Sequence, residues 1–125
     1  MSFVVDIKYF LLYNNNERKY KRGVIMYFIT CFSKCEKDER GWLNLGATRT
    51  FGYEETLEDA DYVLNNNVCD LYEYLYIYAI VEKLGRGPHP DCEERYFYKW
   101  DDEKKGFFRA EEPEILSNFR NIALG

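Results

Sequence analysis

Histidine, cysteine and proline are scarce in this sequence of 125 residues, which contains one, four and three of them. The four cysteines are too few and too irregularly spaced for a disulfide scaffold, which excludes a small disulfide-rich secreted fold. No run approaches the ~20 apolar residues that a membrane-spanning helix needs. Neither a GxGxxG pattern nor a Walker pattern is present, so no motif indicates a dinucleotide or nucleoside-triphosphate site.

The expected location follows from the cysteines and from the amino-terminal residues. Asp6 and Lys8 interrupt the only apolar run near the amino terminus, which argues against a signal peptide. We therefore predict a cytoplasmic protein with reduced thiols and no association with a membrane.

Apolar and aromatic residues are abundant. Hydrophobic residues make up 46% of the chain and aromatic residues 18%, enough apolar area to offset the entropy lost on folding. The length suits one domain. Twelve tyrosines in so short a chain also favour partner binding or a homo-oligomer, because aromatic side chains are enriched at interfaces.

Charge divides the chain into two parts. Residues 1–25 carry a net charge of +3, so residues 26–125 carry −8. We interpret residues 1–25 as an appended basic segment and 26–125 as a single α+β domain, and we hypothesise that natural translation starts at Met26. The alternative is that residues 1–25 form a strand or helix packed on the domain. An acidic domain repels a phosphate backbone, which argues against general nucleic-acid binding and favours a partner with a basic surface.

The pattern of apolar residues predicts the order β-β-α-β-β-β followed by a carboxy-terminal helix. Short links at both ends favour a mainly antiparallel sheet of about five strands with one helix packed on it. Thr56 is a good N-cap for that helix, and Pro113 suits the first position of the last helix. The predicted segments are strands at 26–34, 42–51 and 70–84, a helix at 56–64, a hairpin of 94–100 with 106–110, and a helix from 112.

Residues 70–84 form the most apolar and aromatic segment and are predicted to be the central strand. Four tyrosines recur there with a period of two, which would place their rings on one face of the sheet. Core packing and an exposed recognition surface are both compatible with such a row. A turn at 70–74 that leaves only the last two tyrosines in the strand is the alternative. The row consists of Tyr72, Tyr74, Tyr76 and Tyr78.

Cationic and aromatic residues could together bind a small anionic nucleotide. The arginine fork matches a phosphate group, and an aromatic ring could stack on the base. The alternative is that these cations only solvate the surface. The candidate ligand-binding residues are Arg86, Arg95, Arg109, Trp100 and Tyr78.

Enzymatic and metal sites have weaker support. His89, with Asp91 or Glu93, could act as a general base, but no motif places a nucleophile beside it, so we assign no catalytic residue. The four cysteines lack the usual spacing of zinc ligands, so we predict neither a metal nor a cofactor.

Residues 26–125 resemble small uncharacterised proteins of gut Firmicutes and of their phages and mobile elements. The similarity lies in four segments: Arg-Thr-Phe-Gly at 49–52, the apolar segment 67–82, Tyr-Phe-Tyr-Lys-Trp at 96–100, and the terminal Ala-Leu-Gly. The resemblance implies a small non-enzymatic binding protein, such as an anti-defence inhibitor that occupies the surface of a host protein. The alternatives are a sponge for a small nucleotide signal and an enzyme that uses His89.

Overall fold

A computed structural model describes residues 25–85 and 90–124 of the chain. Its main feature is a five-stranded antiparallel sheet with one α-helix, which confirms the predicted α+β class. Residues 1–24 of the appended segment, Arg86 and His89 lie outside the described residues. The strands are β1 (Met26–Phe32), β2 (Glu36–Lys37), β3 (Leu43–Asn44), β4 (Thr48–Glu54), β5 (Tyr78–Leu84), β6 (Cys92–Asp101) and β7 (Gly106–Arg109), and the helices are α1 (Leu57–Asn65) and two 3-10 helices at Val68–Tyr74 and Glu114–Asn118.

The sheet has the strand order β4-β1-β5-β6-β7, so β5 lies at its centre as predicted. Because side chains alternate along a strand, the sheet buries a different apolar cluster on each face. The helix face, which α1 covers, contains Ile29, Cys31, Val81, Tyr98 and Phe107. The opposite face, which we call the tail face because the carboxy-terminal residues 113–124 (the tail) cover it, contains Phe32, Ile80, Phe97 and Leu116.

Helix α1 begins where the sequence predicts. The Thr56 hydroxyl accepts a hydrogen bond from the backbone N–H of Asp59 at 3.1 Å, as an N-cap does. Acidic residues in the first turn suit the positive end of the helix dipole. Ala60 and Leu64 are fully buried, so the helix packs on the sheet through one apolar face.

The predicted row of tyrosines on one strand is wrong for its first members. Residues Val68–Tyr74 form a 3-10 helix, and β5 begins only at Tyr78. Asn67, Asp70 and Leu75 have φ angles of 48°, 51° and 68°, in the left-handed region that an extended strand cannot contain. The alternative, a turn at 70–74 ahead of the strand, is confirmed, but Tyr76 also precedes β5, so Tyr78 is the one member of the row that lies in the strand.

Two other boundaries differ from the prediction. The strand expected at 42–51 is divided into β3 and β4, because Gly46 adopts φ of 66° and turns the chain. The segment after Pro113 is a short 3-10 helix, and Pro113 itself is extended, with φ −62° and ψ 137°, so it precedes the helix.

Candidate functional site

Arg95, a predicted ligand-binding residue, is part of a buried ion pair. It lies directly opposite Glu82 in the β5–β6 ladder, and its Nε and Nη2 atoms are 2.9 and 2.8 Å from Glu82 Oε2. The side chain of Glu82 is 0% exposed and that of Arg95 is 8% exposed. A buried arginine that is already paired in this way cannot also receive a phosphate from solvent.

The same ion pair holds the tail on the sheet. Arg95 donates to the backbone carbonyls of Leu116 and Phe119 at 2.8 and 2.9 Å. Glu82 accepts the backbone N–H groups of Ile122 and Ala123, each at 2.8 Å. The role of Arg95 in the described structure is therefore to fix the tail.

Arg109 is also engaged, on the helix face. Its Nη2 atom lies 2.7 Å from Asp61 Oδ2, and its guanidinium stacks over the ring of Tyr96 at 4.6 Å. The hydroxyl of Tyr98 donates to the same Asp61 carboxylate. Burial, with the bond to Asp61, raises the pKa of Tyr98 above its ordinary value, so the phenol stays protonated. These contacts join α1 to β6 and β7.

The predicted nucleotide site is divided between the two faces of the sheet. Tyr78 packs on the tail face between the rings of Phe32 and Phe97, with both centroids at 5.7 Å. Arg95 lies on that face, whereas Arg109 and Trp100 lie on the helix face. Arg86 lies outside the described residues. The described candidates therefore do not converge on a single pocket.

Two exposed side chains, Tyr72 and Leu75, lie on the turn that packs against the partly buried Trp100. The rings of Tyr72 and Trp100 stack at 4.0 Å with an interplanar angle of 11°, and Phe107 meets the Trp100 ring edge-on at 5.2 Å. Leu75 is 75% exposed, and its N–H donates to the carbonyl of Tyr72 at 2.9 Å. We call Tyr72, Leu75 and Trp100 the aromatic surface.

The backbone that carries the aromatic surface is strained. Asn67, Asp70 and Leu75 adopt left-handed φ angles within nine positions. Asparagine and aspartate tolerate this conformation, whereas for Leu75 it costs about 1–3 kcal/mol. Local hydrogen bonds hold the turn, since Asn67 accepts the N–H of Tyr72 through its side chain and the N–H of Asp70 through its carbonyl. Strain of this kind is concentrated at functional sites in proteins, which makes the turn a candidate site.

Carboxylates lie near this surface. Asp102 Oδ1 is 3.5 Å from the indole Nε1 of Trp100, and the hydrogen bond from Lys105 lowers the pKa of Asp102 below its ordinary value. Asp70 is exposed in the turn itself. The apolar group is therefore flanked by negative charge.

The described cysteines are poor nucleophiles. Burial raises the pKa of Cys31 to about 12 and that of Cys92 to about 11, so little thiolate forms at neutral pH. Among the described residues, no three His, Cys, Asp or Glu side chains are grouped as metal ligands.

The sequence interpretation missed the partners that engage the arginines, Glu82 and Asp61. The position of Glu82 inside the apolar strand Tyr78–Leu84 was an available indication, because a buried carboxylate needs a partner. Asp61 carried no such indication, since acidic residues are common on exposed helix surfaces.

The helices in residues 25–85 and 90–124 are all too short to cross a membrane. Comparisons with protein-family models, with curated proteins and with solved structures returned no significant match.

Proposed function

We propose that this chain is a small binding protein without enzymatic activity, and that it binds another protein through the aromatic surface. The single observation that supports this most strongly is Leu75, which is 75% exposed beside the stacked rings of Tyr72 and Trp100. Single exposed leucines are ordinary, but this one follows a strained turn whose exposed Tyr72 stacks on the partly buried Trp100.

The energetics favour burial of this surface in a complex. Full burial of a leucine side chain is worth about 1.5–3 kcal/mol, and aromatic side chains contribute comparable or larger areas. The stacking of Tyr72 on Trp100 fixes both rings before a partner arrives, so little side-chain entropy is lost on association. A preorganised aromatic pair with an adjacent aliphatic side chain has the composition of a binding hot spot.

The charge of the domain indicates the class of partner. Residues 26–125 carry a net charge of −8, and Asp70 and Asp102 lie in the two turns that carry or border the aromatic surface. A partner with a basic surface would associate faster with this acidic domain, and repulsion between like charges would disfavour an acidic partner. We therefore propose a cytoplasmic host protein with a basic rim around an apolar patch, and the resemblance to proteins of phages and mobile elements suggests inhibition of a defence component.

The test removes the apolar contact without disturbing the backbone. Asparagine tolerates left-handed φ better than leucine does, so Leu75→Asn should preserve the turn. The tagged wild-type chain is used to capture partners from a lysate of the host cell, and the purified partner is then titrated by calorimetry. Loss of the leucine contact should weaken binding by about 10- to 100-fold.

A matched control is Tyr62→Ala, which removes an aromatic side chain that is 63% exposed on α1. We expect this variant to bind like the wild type. If Leu75→Asn and Tyr72→Ala both retain wild-type affinity for the captured partner, the aromatic surface is not the binding site. If no protein is enriched over an unrelated acidic domain, the proposed binding function is wrong.

A further inference from the structure

A groove of about 500 Å³ separates the small β2–β3 hairpin from the second 3-10 helix. It lies away from the aromatic surface, on the side of the sheet that the tail covers. The groove is lined by Glu36, Lys37, Pro113, Glu114, Ile115, Ser117 and Asn118.

One wall of the groove is the edge of a strand. The N–H of Asp38 donates to the carbonyl of Trp42 at 2.8 Å, and Lys37 lies opposite Leu43 in the same ladder. Because hydrogen-bonded and non-hydrogen-bonded pairs alternate in an antiparallel ladder, the backbone N–H and C=O of Lys37 face away from β3. The groove is lined by both residues of β2 and by neither residue of β3, so it is the outer edge of β2 that borders it.

The other features of the groove are a small excess of negative charge, from two glutamates against the single cation Lys37, and a small apolar surface. Glu36 and Glu114 are exposed, and within residues 25–85 and 90–124 neither carboxylate forms an ion pair. Pro113 and Ile115 contribute the apolar atoms of the lining. A strand edge beside two carboxylates and an apolar strip is complementary to an extended peptide that alternates basic and aliphatic side chains.

We propose that the edge of β2 is a docking site for an extended basic segment of another protein, which would add a third strand to the β2–β3 hairpin. The main chain of the segment pairs with Lys37, its basic side chains reach Glu36 and Glu114, and its aliphatic side chains contact Pro113 and Ile115. This site is independent of the aromatic surface.

The experiment uses a fluorescein-labelled hexapeptide of alternating lysine and valine, titrated with the full chain and followed by fluorescence anisotropy. We expect saturable binding that weakens as salt is added. An exposed ion pair contributes modestly, so Glu36→Gln and Glu114→Gln should each weaken binding by about threefold. The control Glu103→Gln, which neutralises an exposed carboxylate in the β6–β7 turn, should leave binding unchanged.

A second probe tests the strand pairing separately from the charge. The same hexapeptide, N-methylated at alternate residues so that the N–H groups facing β2 are removed, keeps its charges and should no longer bind. Equal binding of the methylated peptide would overturn the proposal, as would equal binding of a hexapeptide that alternates glutamate and valine.

Two further results would also overturn it. One is the absence of saturable binding up to about 1 mM peptide, which corresponds to a binding free energy weaker than about −4.1 kcal/mol. The other is a dimer, seen by sedimentation velocity, that the lysine–valine peptide dissociates, because the edge would then serve a second copy of this chain. Circular dichroism of each variant confirms that the fold is retained.

Discussion

Replacement of Arg95 by methionine should destabilise the domain severely. The substitution keeps much of the buried aliphatic volume but leaves the carboxylate of Glu82, which is 0% exposed, without its cation. It also leaves the carbonyl of Phe119 without its donor, and the carbonyl of Leu116 with only the backbone N–H of Phe119. Removing one member of a buried ion pair typically costs about 3–5 kcal/mol, a large part of the about 5–15 kcal/mol that stabilises a typical domain.

Urea denaturation, followed by tryptophan fluorescence, measures this loss. With an m value of about 2 kcal/mol/M, the midpoint should fall by about 2 M. The control Arg120→Met removes an exposed ion pair to Asp91, whose side chains are 65% and 86% exposed, and should change stability by less than about 1 kcal/mol.

A double substitution gives a sharper test of the same reasoning. Glu82→Met combined with Arg95→Met removes both charges, so it should cost less than the sum of the two single substitutions. If Arg95→Met is no more harmful than Arg120→Met, or if the two losses simply add, the interpretation of Arg95 as the residue that fixes the tail is refuted.

Three other predictions concern packing and reactivity. Leu116→Ala removes a fully buried side chain of the tail and should lower the free energy of unfolding by about 2–5 kcal/mol in the same urea assay. Gly106→Ala would place a Cβ atom against the carbonyl oxygen of Asn65, well inside van der Waals contact, and should lower the stability measured by differential scanning calorimetry by about 1–3 kcal/mol. Gly85→Ala, with open space around the new atom, should be nearly neutral. Burial raises the pKa of Cys31 from an ordinary 9.0 to about 12, so its alkylation by iodoacetamide at pH 8 should be about a thousandfold slower than that of a free thiol. Peptide mass spectrometry measures the rate, and rapid labelling of Cys31 in the folded protein would contradict the prediction.

Local patterns predicted most of the fold. The threonine at position 56, followed by acidic residues and an apolar stripe, placed α1 correctly because capping depends on neighbouring residues alone. The β6–β7 hairpin was predicted for a similar reason, since a charged turn separates two segments with alternating apolar residues.

The same patterns gave the turn before β5 only as an alternative to a longer strand. A period of two in the tyrosines is compatible with a strand, but the left-handed φ angles of Asn67, Asp70 and Leu75 depend on how the chain connects α1 to β5. Leucine rarely adopts this conformation, so nothing at position 75 indicated a break in the strand. Tertiary packing therefore decided the local structure.

The candidate site depended on information that sequence spacing does not contain. Arg95 and Arg109 are both able to bind an anion, but the strand register places their side chains on opposite faces of the sheet. Each then met a carboxylate from another strand or helix. Residue types can identify which side chains are able to bind a phosphate, but register decides whether they meet.

The attachment of the tail has an evolutionary consequence. Glu82 and Arg95 contact only main-chain atoms of the tail, namely two N–H groups and two carbonyls. Most side chains at positions 119, 122 and 123 would preserve these bonds, and proline at 122 or 123 is the residue that would remove one. Over time positions 119 and 123 can change in sequence while the path of the tail is kept, whereas Leu116 and Ile122 are held by their packing in the apolar cluster. Related chains are therefore better recognised by an acid–arginine pair facing each other across β5 and β6 than by the residues at positions 119 and 123.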